Sequence, residues 1–179
     1  MHHPIHHTPA EGAVALLDKV VNALDQWRPG VVVNAQIDFD FPVIVINKQD
    51  VHDALEMLKQ ESGPGFTYLT TLCGAHFPDN KGAEFMLMYQ LHNLTQNLRI
   101  RIKTFMGEKN LDMPTITDLW DGANWMEREA FDFYGFRFTG HPNLKRILNM
   151  EEMNYHPLRK EYALEDSGRD DKEDKYFGR

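Results

Sequence analysis

The fold is decided by the stretch FMLMYQLHNLTQNLRIRIK, residues 85–103. Its last six residues alternate strictly between aliphatic and basic side chains, which is the pattern of a strand with one face on a core and one face in water. The basic residues, which we expect to face water, are Arg99, Arg101 and Lys103. Residues 85–91 form an apolar run typical of a strand, and residues 92–97 connect the two runs. Such a short connection predicts antiparallel pairing.

The segments before this stretch add strands and helices to the same sheet. Residues 66–77 form another strand-like run, and β-branched residues predict two earlier strands, within 31–39 and 42–46. Apolar residues at helical spacing predict a helix over 11–27 and a second helix that begins after Asp50 as its N-cap. This order predicts an α+β fold, a two-layer sandwich of a mixed, largely antiparallel sheet with helices on one face.

The chain changes in character after about residue 106. Residues 114–120 are typical of an extended lead-in, and residues 124–134 of a short helix that Gly135 closes. Periodicity is low from residue 136 to the end, which favours a long extended C-terminal tail lying on another molecule. We therefore divide the chain into a disordered N-terminus over 1–10, an α+β domain over 11–139 and the tail over 140–179.

Composition excludes several classes of function. The chain has 179 residues and a formal net charge of -8, which argues against nucleic acid as the main partner. Its single cysteine, Cys73, excludes an internal disulfide, a CxxC zinc site and a cysteine-bound iron–sulfur cluster, and we expect it to be a small buried side chain. No apolar run is long enough to span a bilayer, and the N-terminus resembles neither a signal nor a transit peptide. The histidines at its start could bind nickel or zinc, but a disordered tip is favoured.

The densest cluster of functional side chains is NWMEREAFDFYG, residues 124–135. On a helix, Trp125, Arg128, Glu129 and Asp132 would share one stripe. That stripe could hold a general acid/base pair, a metal site or an ion-pair network. An arginine beside two carboxylates favours the network, because it keeps both acids ionised, whereas an acid catalyst needs a raised pKa.

Two His-Pro steps follow, at His141 and His156. Neither has a second histidine at ligand spacing, so turns with capping rings are favoured over metal ligands. A stand-alone metal-dependent hydrolase built on His141, His156 and Glu129 remains an alternative. The nearby cations are suited either to grip acidic groups of a partner or to form a solvated face, and they are Lys145, Arg146, Arg159 and Lys160.

These residues resemble a known family signature. The signature comprises ERE at 127–129, Asp132, Gly135, Phe138, GHP at 140–142, Leu144 and RIL at 146–148. It is similar to that of the C-type subunit of NADH-quinone oxidoreductase, the 30 kDa subunit family of respiratory complex I. The approach through Pro114-Thr115 and Leu119-Trp120 and the basic segment HPLRKEY at 156–162 also look like that family.

The resemblance implies a structural and assembly role without catalytic residues or cofactors in this chain. The holoenzyme would pass electrons from NADH through FMN and iron–sulfur clusters to a quinone and couple this to proton translocation. The implied partners are the D-type subunit that helps form the quinone site, the B-type subunit with the terminal iron–sulfur cluster, and other peripheral-arm subunits. We call the first two the quinone-site subunit and the terminal-cluster subunit.

The same resemblance implies a location. The chain would reach the cytoplasmic side of a bacterial inner membrane through the complex. Hydrogenase-linked and chloroplast-type complexes, which use similar subunits, remain alternatives.

By the same resemblance, a set of charged residues would shape the surface between subunits. They are Glu127, Arg128, Glu129, Asp132, His141, Arg146, His156, Arg159 and Lys160.

Overall fold

A computed structural model describes residues 11–60 and 63–162 of the chain. The predictions for the N-terminal histidines, for residues 1–10 and for the end of the tail therefore lie outside the described residues. No helix in the described part is both long enough and apolar enough to cross a membrane.

The helices and strands follow the predicted order. Helix α1 spans Glu11–Trp27, α2 spans Val51–Lys59 after a short 3-10 turn at Lys48–Asp50, and α3 spans Ala123–Tyr134. The main sheet is formed by β1 (Val32–Asp38), β2 (Phe41–Ile46), β3 (Tyr68–His76), β4 (Phe85–Asn93) and β5 (Leu98–Met106). Two short strands that the sequence did not predict, β6 (Asp112–Pro114) and β7 (Arg137–Thr139), pair in parallel on their own.

The main sheet has the strand order β1-β2-β5-β4-β3. Every neighbouring pair is antiparallel except β2 and β5, which run parallel. The mixed, largely antiparallel sheet and the α+β class are thus confirmed.

One face of the sheet carries the core. From Leu87 to Leu91 in β4, the fully buried Leu87, Tyr89 and Leu91 alternate with partly exposed residues. Ile100 and Ile102 of β5 are fully buried as well. Apolar residues of α1 and α2 pack against this face and belong to the same cluster. Burying one such side chain stabilises the folded chain by roughly 1.5–3 kcal/mol. The sum of these contributions holds the two layers together.

Arg101 and Lys103 lie on the outer face of the sheet, as predicted, and are partly exposed. There Arg101 stacks on the ring of Phe41, and Lys103 pairs with Asp38. Asp50 is at the N-cap position of α2, as predicted, but it makes no side-chain cap, since its carboxylate instead accepts a hydrogen bond from Arg28.

Cys73 is exposed, whereas we expected it to be buried. A register shift between Leu69 and Thr71 changes the phase of β3, so that Leu72 and His76 point inward and Cys73 points outward.

Candidate functional site: the surface of α3 and residues 140–162

Helix α3 lies against the edge strand β3, where the Leu72 N–H points at the sulfur of Met126 at 3.2 Å. It ends at Gly135, whose N–H bonds to the carbonyl of Phe131 and whose φ of 88° is the left-handed conformation common after helices. After β7, residues 140–162 contain no helix or strand, and side chains hold them along α3.

Asp132 is the main anchor of this segment. Its fully buried carboxylate accepts hydrogen bonds from the N–H groups of Ile147, Leu148 and Asn149 at 2.8–3.1 Å. It also pairs with the guanidinium of Arg146 at 2.6 Å. Burial by itself would raise the pKa of Asp132, but the N–H groups and Arg146 together hold that pKa well below its usual range. The carboxylate therefore stays ionised and fixes the loop.

Arg146 joins the loop to a later part of the segment. Its second terminal nitrogen donates to the carbonyls of Met153 at 2.6 Å and Tyr155 at 2.8 Å. Its side chain is only 9% exposed, so the fork of donors is almost wholly used within the chain.

Two side chains hold the first part of the segment along α3. The Nδ1 of His141 accepts the Asn143 N–H at 3.0 Å, which leaves the proton on Nε2 to donate to the Asn124 carbonyl at 3.1 Å. Arg128 donates to the carbonyls of Lys145 and Arg146 at 3.1 and 3.0 Å. From their helical spacing we expected Arg128 to neutralise Asp132. It does not, because Arg146 occupies that position.

The end of α3 is capped by the last part of the segment. His156 donates to the carbonyl of Asp132 at 3.0 Å, and Arg159 donates to the carbonyl of Tyr134 at 2.8 Å. Such bonds satisfy carbonyls that a helix end leaves without partners. Burial lowers the pKa of His156, and the neighbouring Arg159 and Arg146 lower it further against the opposing effect of Asp132.

Gly135 makes this cap possible. A Cβ at that position would lie 2.7 Å from Arg159 and 2.8 Å from His156. Only a glycine accommodates both the left-handed backbone and the two side chains that close over it.

Glu127 faces the core side of α3 and is fully buried. Its carboxylate accepts the hydroxyl of Thr115 at 2.6 Å and the N–H of Ile116 at 2.7 Å. Burial raises the pKa of Glu127 to about 7, although both hydrogen bonds oppose the rise. Glu127 therefore holds the lead-in segment against the helix.

Two of the predicted interface residues differ from the rest. Glu129 and the side chain of Lys160 are exposed, and Lys160 is fixed through its backbone N–H, which donates to His76 at 3.0 Å. The other predicted residues, apart from Glu127, tie residues 140–162 to α3. Whether any of them contacts another subunit stays a prediction.

The geometry does not support the hydrolase alternative. His141 bonds to the carbonyl of Asn124, and His156 bonds to the carbonyl of Asp132. These two carbonyls are about two turns apart along α3, so the two rings are held at separate places on the helix. Over residues 11–60 and 63–162, no group of three His, Cys, Asp or Glu side chains is placed to hold a metal ion.

Sequence reasoning missed several contributors to this site. Thr115, the carbonyl groups of α3 and the consecutive N–H groups of 147–149 carry no residue-type signal of their own. The Thr115–Glu127 pair is separated by twelve residues, so that no helical or strand period connects them.

Comparison with known proteins identifies relatives over most of the chain. Residues 44–168 match the family described as the respiratory-chain NADH dehydrogenase 30 kDa subunit. The C-type subunit of NADH-quinone oxidoreductase from Azorhizobium caulinodans is 38% identical over 76% of this chain and 64% of the relative's own length. That of Methylobacterium sp. strain 4-46 is 34% identical over 88% of this chain and 73% of the relative. A combined C/D polypeptide of the same enzyme from Acinetobacter baylyi is 37% identical over 69% of this chain but only 22% of its own length.

Solved structures share the fold. A trypsin-resistant fragment of Nqo5 superposes with a TM-score of 0.61 and 25% identity, covering 70% of this chain and 99% of the fragment. A chain of an archaeal membrane-bound sulfane sulfur reductase gives a TM-score of 0.68 at 21% identity over 82% of this chain and 85% of its own, which shows likeness of fold alone.

Proposed function

The chain belongs to the respiratory-chain NADH dehydrogenase 30 kDa subunit family, and from this membership we propose that it is a structural and assembly subunit of NADH-quinone oxidoreductase. In this proposal it lies in the peripheral arm of the complex and packs against the quinone-site subunit. It also lies near the terminal-cluster subunit and other peripheral-arm subunits.

The observation that carries the proposal is the fused relative. In Acinetobacter baylyi the region similar to this chain is part of one polypeptide whose name combines the C and D components. A covalent link keeps two modules at a high effective concentration, which favours a common assembly. We therefore place the quinone-site subunit, the D-type component, first among the partners.

The redox chemistry belongs to other subunits in this proposal. The holoenzyme would use FMN and iron–sulfur clusters to pass electrons from NADH to a quinone and would couple this to proton translocation. Clusters are typically held by several cysteine thiolates. This chain has one cysteine, Cys73, in strand β3, so its residues do not fit a cluster of their own.

The site around α3 would serve assembly. Asp132, Arg146, His156 and Arg159 would hold residues 140–162 in one shape, which lowers the entropy lost when a partner binds. Glu129 and Lys160, whose side chains are exposed, are the predicted residues best placed to meet a partner. We expect the complex to hold the chain at the cytoplasmic side of the bacterial inner membrane.

Affinity purification of the tagged full chain from gently solubilised membranes tests the proposal. Mass spectrometry should identify the quinone-site subunit together with flavin- and cluster-bearing subunits, and the purified material should oxidise NADH with a quinone as acceptor. Recovery of the chain without these subunits would contradict the proposal. An assembled complex that uses another electron donor would instead point to a related complex.

A further inference from the structure

His76, at the end of strand β3, is a buried histidine with one unused nitrogen. It is only 7% exposed, and its ring stacks on that of Phe85 with the ring centroids 4.3 Å apart. Its Nδ1 accepts the backbone N–H of Lys160 at 3.0 Å. A neutral imidazole that accepts a hydrogen bond at one nitrogen carries its proton on the other. The Nε2 of His76 is therefore an N–H donor.

This donor opens onto a cleft. Over residues 11–60 and 63–162, Nε2 of His76 makes no hydrogen bond, and it is not among the side-chain atoms that are sealed in the core without a partner. His76 lines a cleft of about 690 Å³ between the turn that joins β3 to β4 and Lys160. A polar group in such a place gains free energy when water or a ligand bonds to it. The cleft therefore offers one N–H donor to a ligand.

The walls of the cleft combine apolar and polar groups. Phe77 and Pro78 supply apolar surface, and Lys160 supplies an exposed ammonium group that makes no ion pair within the described residues. The other two residues of the wall are Asp79 and Asn80. Small-molecule sites have this range of volumes and are mostly apolar, with a few polar groups that fix the orientation of the ligand.

Hydrogen bonds hold both walls in place. The N–H of Phe77 donates to the carbonyl of Glu84 at 2.7 Å. The side-chain amide of Asn80 donates to the carbonyl of Ala83 at 3.0 Å, which closes the turn. On the opposite side, the ring of His76 fixes the backbone that carries the ammonium group. A preformed cleft loses little free energy in ordering when a ligand binds.

The unused donors favour an anion. The N–H of His76 and the ammonium group of Lys160 can both donate to a carboxylate, and such charge-assisted bonds are stronger than neutral ones. The ring of Phe77 is suited to stack on a flat apolar group. The carboxylate of Asp79 repels a doubly charged group such as a phosphate more than a single carboxylate.

We propose that this cleft binds a small organic monocarboxylate with a flat apolar body. The carboxylate accepts hydrogen bonds from His76 and Lys160, and the apolar body lies on Phe77. The inference does not rest on the proposed function, because every group of the cleft belongs to this chain.

Titration of the full chain with benzoate tests the proposal. Benzamide, a neutral molecule of nearly the same shape, is the matched ligand control, and saturation-transfer difference NMR gives a Kd for each. We expect saturable binding of benzoate with a Kd of about 1 mM or tighter, the range set by the affinity that a ligand of this size reaches per atom. Benzamide should bind more weakly, by about fivefold.

Two variants each remove one donor. Lys160→Met keeps the backbone N–H that bonds to His76 and should weaken benzoate binding by about two- to fivefold, as for the loss of an exposed ion pair. His76→Phe keeps a ring to stack on Phe85 and should weaken it by about tenfold or more, since a bond from a buried donor to a charged group is lost. The control is Lys145→Met, because Lys145 is an exposed cation of the same segment outside the cleft. It should bind benzoate as wild type does.

Benzoate binding that does not saturate below about 10 mM would overturn the proposal. Equal affinities for benzoate and benzamide, or equal benzoate affinities of Lys160→Met and Lys145→Met, would overturn it as well. If the thermal unfolding midpoint shows that His76→Phe does not fold, the two lysine variants decide the outcome. None of these results changes the expected co-purification with other subunits, so the proposed function is tested separately.

Discussion

Asp132 and Arg146 form a buried ion pair of 2.6 Å that joins the end of helix α3 to the loop after it. Each partner makes further hydrogen bonds, so that the pair fixes the backbone of residues 147–149 and the carbonyls of Met153 and Tyr155. Buried charges are tolerated only when they are paired and hydrogen-bonded in this way. The shape of residues 140–162 therefore depends on one carboxylate and one guanidinium.

Replacement of Asp132 by Asn should destabilise the chain strongly. The asparagine amide keeps one acceptor oxygen, but its NH2 group would face N–H donors that now bind the carboxylate. The substitution also leaves Arg146 buried without a charge partner. We expect a loss of about 3–5 kcal/mol in the free energy of unfolding, measured by urea denaturation. Asp112→Asn is the control, because its pair with Arg137 is exposed on both sides and its loss should change the urea midpoint little. Equal midpoints for the two variants would show that the Asp132 pair is not a main anchor.

Arg128 and Arg146 should differ in importance although both hold the same loop. Arg128→Ala removes hydrogen bonds to two carbonyls and should cost about 1–3 kcal/mol. Arg146→Ala also leaves Asp132 buried and unpaired, so its cost should be larger, about 3–5 kcal/mol. Urea denaturation of the two variants under one buffer compares them directly. A larger loss for Arg128→Ala would favour Arg128, the neighbour by helical spacing, as the cation that neutralises Asp132.

Gly135→Ala should cost more than Gly30→Ala. Both glycines have positive φ, 88° and 81°, so each substitution carries a similar backbone cost of about 1–2 kcal/mol. A Cβ at Gly30 meets nothing within 4 Å, whereas one at Gly135 would clash with Arg159 and His156. The difference between the two unfolding free energies thus isolates the closure over the end of α3. Equal losses would indicate that Arg159 and His156 move aside without cost.

The Glu127→Gln variant should reveal a pH dependence of stability. The pKa of Glu127 is raised to about 7 in the folded chain from an ordinary value of 4.5. The folded chain therefore holds this proton more tightly than the unfolded chain. The resulting stabilisation is full below about pH 4.5 and is lost as the pH rises through about 7.

Between pH 5 and pH 8, wild type should lose roughly 2–3 kcal/mol relative to Glu127→Gln. Taking the difference between the two proteins at each pH removes the contributions of other titrating groups. The measurement is urea denaturation at both pH values. A difference that stays constant, or that moves in favour of wild type at high pH, would contradict the assigned burial effect.

Periodic segments explain why so much of the fold could be predicted. The alternation in β5 and the helical spacing in α1 both report burial on one side, and the structure has these elements as expected. The contacts on the outer face of the sheet were harder to predict, because Arg101 and Lys103 contact Phe41 and Asp38, which lie in strands distant in sequence. Strands β6 and β7 have three residues each, which is too short for a period to be recognised.

The sequence drew attention to the charged residues of α3 and of the segment after it, but not to the contacts that they make. Sequence spacing on a helix made Arg128 the obvious partner of Asp132, but the true partner comes from the loop fourteen residues away. Glu127 was among the predicted residues, but its burial was not foreseen. A carboxylate is rarely buried without a partner, and the partner here is the hydroxyl of Thr115. Both gaps arise from contacts that only the tertiary fold creates.

Removal of the chain from its own cells tests the assembly role most directly. Membranes from a deletion strain, and from the same strain carrying the wild-type chain, are compared by native gel electrophoresis and by NADH-quinone oxidoreductase activity. We expect the full-size complex and its activity to be lost in the deletion strain and to return with the wild-type chain. A full-size, active complex in membranes that lack the chain would contradict the account.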